Sequence, residues 1–248
     1  MEMRITSRKN PLLQQVKKLF SSRKERESAG LFAADGTKLL QEAVRFYPGL
    51  DTVILSDGVE ADVPEHVRLV RVPEDVMASI SPMEAPQGAV FLCRLPQRQP
   101  VVAKAPMLLL DGIQDPGNLG TMLCTADALR VPVVLLGCAD PYSQKVVRAS
   151  MGAVFRTPVV QSTWAEVSAV LRQAGIPVAV TALSDRAYDI RQAQVEKMAV
   201  VIGSEGRGVR PEILAAADHE LIIPMNENGE SLNAAVAASI VLWQMQQV

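Results

Sequence analysis

Histidine and cysteine are scarce in this chain of 248 residues, and their scarcity excludes several kinds of chemistry. His66 and His219, the only histidines, stand far apart, leaving little from which to build a zinc site or a histidine-centred triad. Cys93, Cys124 and Cys138 sit in apolar contexts at spacings unlike metal-ligand or disulfide frameworks. Reduced thiols in a cytoplasm, and no bound metal, are the expectation. No apolar run approaches the ~20 residues needed to span a bilayer. MEMRITSRKN at the start carries no apolar stretch after its charges, so neither a secretory leader nor a membrane anchor is expected.

What the chain does have is apolar content, 48% of its residues, enough for one large core or two modest ones, with the length favouring two domains. Its net charge of −2 hides an asymmetry. Residues 1–50 hold ten Lys and Arg against five acids, including Lys17, Lys18, Arg23, Lys24 and Arg26. The remainder holds 15 against 22. A basic segment on an otherwise acidic chain suits a phosphate-binding face, and a solvated helix surface explains the same charges.

In chain order, Asn10-Pro11 reads as an N-cap and first helical position, followed by an apolar stripe of Leu12, Leu13, Val16, Leu19 and Phe20. Strands at 31–34, 52–56, 68–72 and 89–95 alternate with helices at 37–46 and 73–80, a small α/β layer domain over 1–95. Residues 96–106 are proline-rich and aperiodic and read as a linker. A second α/β series fills 107–248, with strands near 107–110, 133–136, 177–183, 198–203 and 220–224. Helices are expected at 119–129, 144–150, 164–174, 211–217 and 231–247. Near-continuous apolar strands between helices predict a mostly parallel sheet covered on both faces.

Three loops of this second series carry chemistry. The first, Asp115-Pro116-Gly117-Asn118 with Gly120, leaves a buried strand and places a two-way hydrogen-bonding amide beside a glycine. The second runs Gly203-Ser204-Glu205-Gly206-Arg207-Gly208, and the third leads from Ile223-Pro224-Met225 to Ser231-Leu232-Asn233. Each alone is ordinary connection chemistry.

Together, D-G-x-x-D-P-x-N-x-G-T, I-G-S-E-G-x-G and I-P-M with S-L-N-A-A-V-A resemble the three ordered motifs of the SpoU-TrmH family of RNA ribose 2'-O-methyltransferases. ITSRKNP, the basic run after it and LFAADG are similar to the substrate-binding domain of the family's ribosomal-RNA branch, with Asp35 where Glu is expected. The resemblance implies an α/β-knot catalytic domain, a deep trefoil knot, preceded by a small ribosomal-protein-L30e-like RNA-binding domain. It implies S-adenosylmethionine as cofactor, ribosomal rather than transfer RNA as substrate, and a homodimer. Carried over by motif, the cofactor would be held by Thr181, Leu183, Gly203, Gly206, Ile223, Met225, Ser231 and Leu232. Asn118, Glu205, Ser231 and Asn233 would line the reacting ribose, with Arg148 at the cleft. A structural carboxylate that caps loop N–H groups is the other reading of Glu205.

One position departs from the pattern. Where the family's first motif has an arginine that engages the substrate phosphate, this chain has Cys124, and a thiol cannot replace a five-donor cation. Arg148 or Arg207 supplies the charge, or the protein binds RNA without methylating it, or the substrate geometry differs. A small-molecule methyltransferase is a further alternative, and it leaves the basic segment without a role.

Overall fold

A computed structural model describes residues 3–226 and 231–246. The chain forms two compact units: one runs up to Gln97 and includes Tyr142–Arg156, and the other comprises Arg98–Pro141 and the chain from Thr157 onward.

The first unit is built on a five-stranded sheet ordered β1(Met3–Arg4), β4(Arg68–Val72), β3(Leu50–Ser56), β5(Ala89–Arg94), β2(Leu31–Asp35). Strand β5 runs antiparallel to β2 and β3, and the other pairs are parallel. Helix α1(Pro11–Ser21) starts as its cap predicts: Asn10 Oδ1 accepts the Leu12 N–H at 2.9 Å, and Pro11 takes the first turn. Its stripe of Leu13, Val16 and Leu19 packs with Val76, Met77 and Ile80 of α4(Glu74–Ile80) on Ala33, Ile54, Val70 and Leu92. Helix α3(Thr37–Phe46) follows β2. Phe32, Tyr47 and Phe91 meet Tyr142 and Phe155 in an aromatic cluster, with Phe32 and Tyr142 centroids 4.9 Å apart. The segment Tyr142–Arg156 thus joins this unit through its rings.

The basic cluster after α1 is a helix of its own, α2(Arg23–Ala29), started by Ser22 Oγ and ended at Gly30 with φ of 64°. Arg26 is buried and donates to the Leu19 carbonyl at 2.6 Å, closing the end of α1. Arg4, Arg8 and Arg23 pair with Asp57, Asp75 and Glu27. The charge free to meet phosphate in this stretch is therefore carried mainly by lysines, a narrower basic face than composition alone implies.

The second unit holds a seven-stranded sheet, parallel throughout, in the order β10(Tyr188–Asp189), β12(His219–Ile222), β9(Val178–Thr181), β11(Ala199–Gly203), β6(Met107–Asp111), β7(Val133–Leu136), β8(Val160–Ser162). The mostly parallel α/β reading holds. Val167 and Leu171 of α8(Trp164–Ala174), with Ile213 of α9(Pro211–Ala215), cover Leu109, Val134, Val180 and Val201. Helix α10(Ala234–Gln244) packs against α5(Pro116–Ala128) and β11. No described helix is long and apolar enough to cross a membrane.

The sheet's strand order reverses between β6 and β11. From β6 the chain winds outward through β7 and β8, and on the other side β11 is followed by β9, β12 and β10. Such switch points open a crevice at the carboxyl ends of strands. Here Asp111, the last residue of β6, is in register with Gly203, the last of β11, so the first and second loops emerge side by side.

Candidate active site at the carboxyl edge of the second sheet

Asp115-Pro116-Gly117-Asn118, expected as a loop, is the first turn of α5, so the helix begins three residues earlier than its apolar stripe indicates. Asp115 Oδ1 caps it by accepting the Asn118 N–H at 2.7 Å, and Pro116 needs no donor partner at the first position. Asn118 is therefore held on a helix terminus, which is stiffer than a loop. The last helix shows the opposite difference: expected from Ser231, it begins at Ala234, because Asn233 is its cap. Asn233 Oδ1 accepts from the Ala235 and Val236 N–H groups at 2.9 and 3.3 Å.

These two helix starts meet in one polar network. Asn233 Nδ2 donates to Asn118 Oδ1 at 3.0 Å, and Asn118 Nδ2 donates to Glu205 Oε1. The directions are forced, because a carboxylate only accepts and Asn233 spends its own oxygen on its helix. Among the described residues Glu205 Oε2 has no partner, leaving one carboxylate oxygen open to a group brought into the site.

The loop that presents Glu205 is a closed turn. Ser204 and Gly208 exchange two backbone hydrogen bonds, at 2.8 and 3.2 Å. Gly203 is required there: a Cβ would stand 2.1 Å from the Gly208 carbonyl carbon and 2.2 Å from the Val209 nitrogen. Just beyond the turn, Arg210 is fastened to Asp111, which is 1% exposed, with its Nε 2.7 Å from Oδ1 and its N–H 2.8 Å from Oδ2. Asp111 thus ties the second loop to the end of β6. On the other side Glu220, 8% exposed, accepts from Ser184 and pairs with Arg186, which holds the loop after β9. Sequence reasoning missed both ties. Asp111 opens the first motif, but its partner lies 99 residues away, and Glu220 stands in a strand where a carboxylate carries no local signal.

A cavity of about 430 Å³ lies among these loops. Thr181, Leu183, Gly203, Ile223, Met225, Ser231 and Leu232 line it, as do Glu205 and Arg207. Gly206 is at the tip of the turn, outside the lining, where a Cβ would meet nothing within 4 Å. The wall combines aliphatic side chains with backbone amides at strand ends, which suits a ligand with a flat heteroaromatic part read by N–H and C=O groups. Cys124 lies half-buried in α5, about 9 Å farther along the helix axis than Asn118 at ~1.5 Å per residue. The pKa of the Cys138 thiol is pushed up to about 11 by burial, despite backbone hydrogen bonds that favour its thiolate. Arg148 falls in the first unit, where its guanidinium meets Met83 Sδ.

A mostly parallel sheet with paired motif loops at its switch point, an apolar cavity and a carboxylate at its edge defines an RNA methylase of the SpoU type. Residues 105–243 match the SpoU rRNA Methylase family, residues 10–90 match the MRM3-like substrate binding domain, and the chain belongs to that methylase family. It is 34% identical to the 23S rRNA (guanosine(2553)-2'-O)-methyltransferase RlmP of Bacillus subtilis, over 98% of both chains. Among solved structures, an AdoMet-bound rRNA methyltransferase from Sinorhizobium meliloti superposes with a TM-score of 0.87 at 28% identity, covering 99% of this chain and 97% of that one. The SpoU methyltransferase AviRb from Streptomyces viridochromogenes, in complex with AdoMet, gives 0.83 at 25% identity, covering 95% and 97%.

Proposed function

We propose that the protein transfers a methyl group from S-adenosylmethionine to a ribose 2'-hydroxyl of ribosomal RNA. The observation that carries this reading is the Asn118, Asn233 and Glu205 network beside an apolar cavity walled by strand-end backbone. The residues present fit the cofactor: Thr181, Leu183, Ile223, Met225 and Leu232 give an adenosyl moiety apolar walls, while Gly203 and Ser231 give it backbone and hydroxyl partners, and Gly206 serves only to turn the loop. S-adenosylmethionine, when bound, supplies an electrophilic methyl group, so the reaction calls for no metal ion. The protein's part is alignment and proton handling. Asn118 and Asn233 fix the Glu205 carboxylate, and its open Oε2 accepts the hydrogen of the ribose hydroxyl as that oxygen becomes the nucleophile.

Arg207, which lines the same cavity and makes no ion pair among the described residues, supplies the phosphate contact that Cys124 cannot. Residues 1–95 serve as the RNA-binding domain and 107–248 as the knotted catalytic domain, joined by 96–106, in a cytoplasmic protein. A homodimer is supported by α10, whose Val236 and Trp243 are 47% and 63% exposed on a helix with hardly a polar residue. Radiolabelled cofactor and ribosomal RNA lacking 2'-O-methylation should yield a labelled 2'-O-methylnucleotide on digestion. No transfer despite measurable cofactor binding would sink this reading. It would favour a second one motivated by Cys124, an RNA-binding protein that has lost methyl transfer. Cys124→Arg assayed in parallel separates the two, because activity in the variant alone marks the natural chain as catalytically weakened.

A further inference from the structure

The first unit has its own cavity, of about 750 Å³, and its wall is of a different kind. Asp35, the last residue of β2, lies in that wall only 5% exposed, and its Oδ2 has no hydrogen-bond partner among the described residues. The Ser81 hydroxyl serves the carboxyl, and Arg148 acts on it through its charge. A buried acceptor left without a donor carries a desolvation cost, so its place in a cavity wall points to a donor that arrives with a ligand. Around it stand Lys38, at the start of α3, and Lys145, both exposed and without ion pairs among the described residues. Arg156 is already committed to Glu42. The Met83 thioether and the Arg148 guanidinium, in contact with each other, add a soft surface and a flat cation, both of which pack well on a heteroaromatic ring.

We propose that this cavity receives one unpaired guanine nucleotide of the RNA strand, with Asp35 accepting from the base edge and Lys38 and Lys145 holding the phosphate. The choice of base follows from the acceptor. A carboxylate only accepts, and guanine alone presents an imino and an amino N–H side by side with no acceptor between them. Adenine and cytosine set a ring nitrogen acceptor beside their amino group, and uracil flanks its one N–H with two carbonyls, so each brings a lone pair against the carboxylate. Oδ1 keeps a second lone pair beyond the Ser81 bond, so both oxygens can serve the two donors. Single-stranded RNA offers such edges, since its bases can be splayed out and read by side chains. This inference rests on the RNA reading given above and adds a recognition subsite to it.

The test is a titration of the isotopically labelled full-length protein followed by amide chemical shifts, with S-adenosylhomocysteine saturating the second unit's cavity. Guanosine 5'-monophosphate, the three other ribonucleoside monophosphates and inorganic phosphate are each added into the millimolar range. The expected result is movement of Gly36, Lys38 and Lys145–Ala149 amides, with guanosine monophosphate tighter than the rest by roughly tenfold or more. Asp35→Asn, nearly isosteric, should abolish the preference for guanine while its spectrum stays dispersed and its response to S-adenosylhomocysteine is unchanged. Lys145→Ala should weaken every nucleotide and keep the preference. No shift in these segments, an equal response to phosphate alone or to all four nucleotides, or an Asp35→Asn protein that still prefers guanine would each overturn the proposal. Failure of S-adenosylhomocysteine to bind in the same sample would instead count against the methyl-transfer reading.

Discussion

The two cavities differ in what does the recognising. In the second unit the wall is largely backbone at the ends of parallel strands, and its carboxylate is fixed by two asparagines that themselves start helices. In the first unit the wall is side-chain charge, lysines and an arginine around a buried carboxylate that no described residue fully satisfies. A backbone-built site depends on loop conformation and breaks when a glycine is filled. A site built from side-chain charge keeps its fold when a charge is removed and loses ligand instead.

The largest effect tests the backbone side of that contrast. Gly203→Ala forces a Cβ into the Gly208 and Val209 backbone. The second loop must open, and a combined loss of about 4 kcal/mol or more is expected in stability and cofactor affinity. Thermal unfolding and calorimetry with S-adenosylhomocysteine measure it. Gly206→Ala, with open space around its Cβ, should stay within about 0.5 kcal/mol in stability. Equal behaviour of the two variants would show that the Ser204–Gly208 turn does not depend on a glycine at 203.

Next in size is Glu205→Gln. It keeps the shape and removes the carboxylate, so kcat should fall by ~10²- to 10⁴-fold while cofactor affinity changes little. A KM effect with kcat intact would return Glu205 to the purely structural role of capping its loop. Arg207→Ala should be milder, weakening RNA binding by roughly tenfold and lowering the slope of affinity against salt by about one. Filter binding at several salt concentrations reads both. A salt slope unchanged from wild type would leave the phosphate contact to some other cation.

Much of this molecule could be read from the chain because its signals are local. The Asn10-Pro11 cap, the parallel strands of the second sheet and the three motif loops all follow from neighbouring residues. Even so, the apolar stripe of α5 hid the helix's first turn, since Asp115 and Pro116 begin it with polar and cyclic residues that look like a loop. The contact between Asn118 and Glu205 joins residues 87 apart; only the resemblance of the motifs suggested it, because spacing cannot. Nothing local shows that Tyr142 and Phe155 complete an aromatic cluster with Phe32, or that one Asp35 oxygen ends up without a donor among the described residues. Arg26 read as surface charge because its acceptor, the Leu19 carbonyl, is created only when α1 ends.

The smallest expected effect lies in the first unit and has a sign that can be worked out. Burial raises the Asp35 pKa above its ordinary 3.8, against the opposing pull of Ser81 and Arg148, so the folded chain binds that proton more tightly than the unfolded one. The stability this contributes is complete below the unfolded pKa and is lost as pH rises through the folded pKa. At neutral pH the ionised carboxylate is therefore a burden on the fold. Asp35→Asn should melt slightly above wild type at pH 7, and the gap should shrink as pH falls toward 4. Urea unfolding across that range checks it, and a gap that ignores pH would mean that Asp35 is not strained by burial. Saturating guanosine monophosphate should narrow or reverse the gap at pH 7, because the ligand stabilises only the chain that can accept from its base edge. That reversal would separate a carboxylate kept for recognition from one that is merely poorly placed.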